Sequence, residues 1–184
     1  MHQHLPTARM RRGWPSLITA LSVALLLAGC FTSTQPKLPL AQAAAPFGDG
    51  GRYGAYERFS DGTYKRDETV TMRKRADGGY DYVDSKGKVT PLSFYRIGPN
   101  LYVVQAAGEN GHGTDYVAVR VSDDGKEGLT YPLDCTKHDT AKLKSLGVEI
   151  TDQGRVCNID KVADPLALFA GLNLGEPSGK MVRE

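Results

Sequence analysis

The sequence predicts a mainly β (α+β) fold: an antiparallel meander that curls into a sheet or small barrel and carries two short C-terminal helices. Three observations point there. Between Arg52 and Leu133, short β-branched and aromatic runs alternate with turn signals. Within those runs apolar and polar residues alternate with the period of a strand. After Leu133 the pattern changes, and capping residues begin to precede stretches of helical spacing.

In chain order, strands are predicted near Arg52–Phe59, Glu68–Arg75, Gly79–Asp84, Lys88–Ile97, Asn100–Ala107, Thr114–Ser122 and Gly128–Leu133. Between them stand Asp61-Gly62, Asp77-Gly78-Gly79, Lys86-Gly87, Gly98-Pro99-Asn100, the loop Gly108–Gly113 and Asp124-Gly125, all residues suited to tight turns or positive φ. Alternation assigns faces. Val70 and Met72 oppose Thr71, Arg73 and Arg75, while Val117, Val119 and Val121 oppose Tyr116, Ala118 and Arg120. One side of the sheet is therefore expected to be buried and the other wet, and curling closes the sheet over its apolar side.

Beyond the meander, Thr136-Lys137-His138-Asp139 resembles a capping box, and Ala141, Leu143 and Leu146 precede Gly147, which predicts a helix from about Lys137 to Leu146. Val148–Thr151 and Arg155–Ile159 around Asp152-Gln153-Gly154 form a predicted hairpin. Asp164 as cap and Pro165 in the first turn start a last helix through Leu166, Leu168, Phe169 and Leu172. One globular domain over residues 52–173 and a loose tail over 174–184 complete the division.

A chain of 184 residues leaves room for one domain of roughly 130 residues once an export segment is set aside. Apolar content of 40%, charged content of 24%, 21 Gly and 10 Pro describe a folded protein rich in turns. The net charge of +2 depends on Arg9, Arg11 and Arg12; without them 20 basic residues face 21 acidic ones, a net of −1. Such a balance gives no support to nucleic-acid binding by bulk charge.

The first 29 residues follow the order of a secretory signal: a positive region through Arg12, an apolar stretch from Leu17 to Ala28, and a small residue before the cut. The apolar stretch is shorter than the roughly 20 residues a spanning helix needs. Leu27-Ala28-Gly29-Cys30 resembles the lipobox of bacterial lipoproteins. That resemblance implies diacylglyceryl attachment to the Cys30 thiol, cleavage before it, and acylation, including palmitate, of the new amino terminus. Two or three acyl chains at about 0.8 kcal/mol per buried methylene hold a protein on a membrane almost permanently. Arg11-Arg12 lacks the serine of a twin-arginine signal, because Met10 occupies its place. With Phe31 rather than Asp after the lipidated cysteine, enterobacterial-type sorting implies the outer membrane, facing the periplasm. Residues 30–51, with Pro36, Pro39 and Pro46 among small residues, read as a lipid-anchored flexible tether.

With Cys30 committed to lipid, Cys135 and Cys157 remain, and an oxidising envelope favours a disulfide between them that staples the helix to the hairpin. Three constellations carry possible chemistry. Cys135 and His138 hold the minimum for a thiol nucleophile, but the disulfide is the expected fate of this cysteine. Glu109, His112 and Asp115 in a glycine-rich hairpin loop offer metal-ligand types without a rigid frame, and are read as a solvated loop. Lys65, Arg66, Arg73, Lys74 and Arg75, with Tyr64 and Tyr80 near by, form the most basic stretch, read as a solvated strand face, with contact to an anionic glycan or lipopolysaccharide as the alternative. No catalytic, cofactor or metal set is assigned. The expected function is a membrane-anchored envelope lipoprotein with a non-catalytic binding or structural domain and an envelope protein or glycan as partner. The alternatives are a cell-wall or glycan-acting enzyme, and an inhibitor resembling the membrane-bound lysozyme inhibitors in architecture alone.

Overall fold

A computed structural model describes residues 31–108, 113–151 and 154–184. The predicted export segment, Cys30, Glu109 and His112 lie outside the described residues.

The turn residues cut the chain where the alternation predicts. After β1 (Phe31–Ser33) come β2 (Gly50–Arg58), β3 (Tyr64–Lys74), β4 (Tyr80–Val83), β5 (Val89–Gly98), β6 (Leu101–Ala107), β7 (Thr114–Val121) and β8 (Glu127–Tyr131). Then follow α1 (Thr140–Ser145), β9 (Glu149–Thr151), β10 (Val156–Asn158), α2 (Pro165–Ala170) and β11 (Gly179–Arg183). Seven consecutive meander strands, β2 to β8, lie in chain order, and β11 pairs antiparallel with both β8 and β2. With β6 bonded to β7 as well, eight strands close into an antiparallel barrel, and closure leaves these strands without a free edge. Outside it, β1 continues alongside the first half of β7 and carries β10 and β9.

Closure makes one face of every strand an interior. Tyr53 and Ala55 of β2, Val70 and Met72 of β3, Tyr80 and Tyr82 of β4, Phe94 of β5, Val104 of β6 and Val117, Val119 and Val121 of β7 fill it. Phe47 caps one end, its ring edge-on to Tyr53 at 5.4 Å, Tyr80 at 6.1 Å and Phe94 at 5.5 Å. Gly128 makes room for this ring: a Cβ there would meet it at 3.1 Å. Tyr80 also fastens the plug, accepting from the Phe47 N–H at 3.1 Å and donating to the Gly48 carbonyl at 2.8 Å.

A second core lies on the outer side of β5 to β8, under the segment from Leu133 to Leu172. It gathers Phe31, Tyr95, Val103, Tyr116, Ala118, Leu133, Leu143, Val148, Ile159 and Phe169. The disulfide Cys135–Cys157, with Cα atoms 5.7 Å apart, ties the turn before α1 to β10, as the two spare cysteines predict.

Three expectations are corrected. Residues 31–51 are no tether in the described chain: Phe31, Leu38 and Phe47 are buried, and side chains hold the backbone where a ladder does not. Gln105 Oε1 accepts from the N–H groups of Lys37 and Leu38 at 3.0 Å each, its amide donates to the Leu38 carbonyl, and the Tyr95 hydroxyl donates to the same carbonyl at 2.9 Å. The tail over 174–184 is not loose, because Gly179–Arg183 is the stave that closes the barrel; the domain therefore exceeds 52–173 at both ends. Nor is the outer face of β7 wet along its length: Arg120 is exposed as expected, but Tyr116 and Ala118 are fully buried by residues distant in sequence. A smaller shift concerns the first helix: Asp134 caps a 3-10 turn at Cys135–Lys137, and Asp139 then caps α1 by accepting from Ala141 and Lys142 N–H groups. Asp164 and Pro165 start α2 as expected.

Candidate functional site

Two surfaces concentrate chemically useful side chains. The first is a half-open groove of about 460 Å³ lined by α1 and α2. Leucines recurring at helical spacing supply its walls, Leu143 and Leu146 from α1 and its end, Leu168 and Leu172 from α2 and beyond. Lys137, His138, Lys142 and Asn173 stand at its polar edge. Leu146 is 45% exposed, an apolar residue without full cover.

His138 sits between groove and core, its ring edge-on to Phe31 at 6.1 Å. Burial lowers its pKa below the ordinary 6.5; Asp134 opposes that shift, and Lys137 and Lys142 add to it. The neighbour needed for a Cys–His couple is absent as a thiol, because the Cys135 sulfur is bonded to Cys157. The arrangement can seat apolar chains or a hydrophobic side chain; it offers no thiolate.

The second surface is the bare outer side of β11, β2 and β3. Lys180 of β11 lies over two tyrosine rings, 4.6 Å from the centroid of Tyr64 and 5.5 Å from that of Tyr56. Arg66 donates to Thr69 at 2.7 Å and pairs with Glu184, which also holds Arg52 at 2.9 Å. Aromatic faces with adjacent cations suit the ring faces and acidic groups of an anionic glycan.

The predicted basic stretch divides between several places. Arg66 and Tyr64 join the Tyr56–Lys180 surface, and Lys65 and Arg73 are exposed. Lys74 faces Asp49 at 3.7 Å. Arg75 forks onto Asp77 and Asp81 and donates to the Tyr80 carbonyl, which stiffens the β3–β4 turn. Tyr80 itself is interior, its phenol pushed up to about 12 chiefly by burial. Sequence reasoning missed Lys180, Arg52 and Tyr56. The run Lys180-Met181-Val182-Arg183, two apolar residues, one of them β-branched, between charged ones, was the available signal for β11.

Of the predicted loop triad only Asp115 is described; it lies on β7 opposite Ala106 and Thr32. At the barrel end away from Phe47, Glu68 accepts from the Tyr82 hydroxyl and from Ser85, and burial, then the charges of Glu68 and Glu57, raises the pKa of Asp67. Among the described residues no group of three or more His, Cys, Asp or Glu side chains is arranged to hold a metal ion, and no helix is long and apolar enough to cross a membrane.

No family model matches this chain, and neither the curated proteins nor the solved structures contain a match.

Proposed function

We propose that the chain is an envelope lipoprotein, held by lipid on Cys30 at the periplasmic face of the outer membrane, whose barrel is a non-catalytic binding module. The lipobox Leu27-Ala28-Gly29-Cys30 behind a basic, then apolar leader carries this reading. Two features support the non-catalytic part. The described interior is filled by Phe47, Tyr53, Tyr80 and Phe94 rather than opened as a reaction chamber, and the cysteine nearest a histidine is consumed in a disulfide. The Tyr56–Lys180–Tyr64 surface favours an anionic glycan of the envelope as partner, because two ring faces and the Arg66 and Arg52 guanidiniums lie on one uncovered side.

Metabolic labelling with radioactive palmitate in the native host tests the anchor. The wild-type chain takes up label and partitions with membranes, while Cys30→Ala does neither; an unlabelled, soluble wild-type product would overturn the assignment. Co-sedimentation with purified peptidoglycan or lipopolysaccharide tests the partner. Lys180→Glu is expected to reduce retention several-fold, and release of soluble sugars by the wild-type protein would replace the binding module with an enzyme.

A further inference from the structure

Beside Lys180, Tyr56 and Tyr64 stand two arginines that share one carboxylate. On β2 the residues alternating with buried Tyr53 and Ala55 are Arg52, Gly54 and Tyr56, so these three form a row on the outer side of the barrel. Gly54 leaves a dip in that row, and the Tyr56 ring lies down in it: a Cβ on Gly54 would meet the ring at 3.0 Å and its hydroxyl at 3.3 Å.

Glu184 follows β11, and its N–H donates to the Arg52 carbonyl at 2.9 Å. Its side chain then reaches across β2. One carboxylate oxygen stands 2.9 Å from Arg52 Nε, and the other pairs with Arg66 on β3. Arg66 lies opposite Tyr56 in the β2–β3 ladder, so the two guanidiniums flank the Gly54 dip with the carboxylate between them. Arg66 also donates to the Thr69 hydroxyl at 2.7 Å, which fixes its fork independently of Glu184. The arginine side chains are 68% and 50% exposed, and ion pairs so open to water are weak enough for a ligand to exchange. Lys180 adjoins them opposite Tyr56, which leaves positive charge in excess over the patch.

Resting on the glycan-binding reading above, we propose that Arg52 and Arg66 form the anion seat of this surface and that Glu184 is its internal occupant, standing where a carboxylate of the glycan binds. The seated group bridges two guanidiniums with one carboxylate oxygen to each, so the ligand is a carboxylate-bearing glycan such as peptidoglycan rather than a phosphorylated one. Binding exchanges one carboxylate for another. Glu184 swings into water, the glycan carboxylate takes both arginines, and Lys180, held over Tyr56 and Tyr64, supplies a further cation beside it. Glu184 thereby holds the affinity down and turns away sugars that bring no charge.

Glu184→Gln keeps the backbone bond to Arg52 and removes the internal competitor. Glu176→Gln is its control: it deletes the same charge near by, where Glu176 pairs with Arg58 at 3.4 Å, and leaves the seat filled. Full-length protein purified from host membranes is co-sedimented with peptidoglycan and, as the phosphate-bearing arm, passed over immobilised lipopolysaccharide. Glu184→Gln is expected to raise retention on peptidoglycan about fivefold, the scale that exposed ion pairs supply. Glu176→Gln should change it far less, and adding Arg66→Ala to Glu184→Gln should cancel most of the gain. Equal gains from the two glutamine variants would reduce the effect to net charge and overturn the seat, and an equal gain on lipopolysaccharide would overturn the carboxylate ligand. Retention unchanged by Glu184→Gln yet lowered by Lys180→Glu also overturns the seat and leaves the glycan-binding reading standing. Failure of the wild type and of every variant to bind either glycan removes both.

Discussion

The two cores of this molecule are built on opposite principles. The interior is assembled from neighbours in sequence: β2 through β7 each contribute alternate residues, every hairpin is short, and aromatic edges interlock around Phe47. The outer core draws Phe31, Tyr116, Cys157 and Phe169 from segments up to 138 positions apart and from helices of six residues each. Helices that short have little stability of their own. The outer layer is held by what local structure does not supply, namely a disulfide, the Gln105 clamp on residues 37–38, and the barrel surface itself. The barrel is thus a frame that can stand first, and the layer above it is its dependant.

The frame has one non-local member, and removing it tests the comparison most severely. Ending the chain at Asn173 deletes β11, strips β2 and β8 of a neighbour each, and opens two edges. Loss of cooperative unfolding and of soluble protein is expected. A truncated chain that still melts cooperatively near the wild-type temperature would show that the barrel does not need this stave.

Next in size is the plug. Phe47→Ala empties the space between Tyr53, Tyr80 and Phe94, and a buried Phe→Ala replacement costs about 3–5 kcal/mol. Urea denaturation should report that loss across the whole protein, because the frame supports both layers. A cost below about 1 kcal/mol would mean that the barrel end collapses to fill the gap.

The disulfide separates the layers. Opening it with Cys135→Ser and Cys157→Ser together releases a loop closed over 22 positions, worth about 3 kcal/mol in the chain-entropy model. Hydrogen exchange should show protection lost in β9, β10 and α1 while amides of β3, β4 and β5 keep theirs. Uniform loss through all strands would make the two cores a single cooperative unit and end the distinction.

The same division explains what the sequence made legible. Glycine and aspartate turns marked the meander strands to within a few residues, except that β3 begins at Tyr64, earlier than the apolar alternation suggests, because a bulge near Ala55 and Tyr56 interrupts the register. Val70, Met72 and the β7 valines declared the interior correctly, since an interior built from neighbouring strands is written in local alternation. The outer core is not. Nothing near Tyr116 or Ala118 in sequence states that α2 and Leu133 will cover them, and Phe31–Gly51 looks like linker because its backbone is bound by a glutamine far downstream rather than by its own pattern. Gly179–Arg183 reads as tail because it is short and sets only Met181 and Val182 between charged Lys180 and Arg183, a pattern the uncovered side of the barrel permits. Of the candidate site, the sequence disclosed the cysteine pair but neither the groove nor the Tyr56–Lys180–Tyr64 surface, both of which join pieces that only closure of the barrel brings together.

Acid gives the gentlest way to pull the layers apart, through His138. Its ring lies under the groove against Phe31, and burial holds its folded-state pKa below 6.5. The unfolded chain therefore binds more protons than the native one as pH falls through and below 6.5, and stability falls with it. The contribution is fully present above that value. Carboxylates that cap turns respond only further down: Asp134, held low first by the Thr136 hydroxyl, and Asp124, held at about 2 first by the Ser122 hydroxyl, keep their contributions until pH drops below the ordinary 3.8. Between these windows, near pH 5, amides of α1 and the Cys135–Lys137 turn should exchange faster while barrel amides are unchanged, and His138→Phe, which keeps the edge-on ring contact without a proton to bind, should abolish the difference. If the variant showed the same acceleration as the wild type, another group would have to be loosening the outer layer.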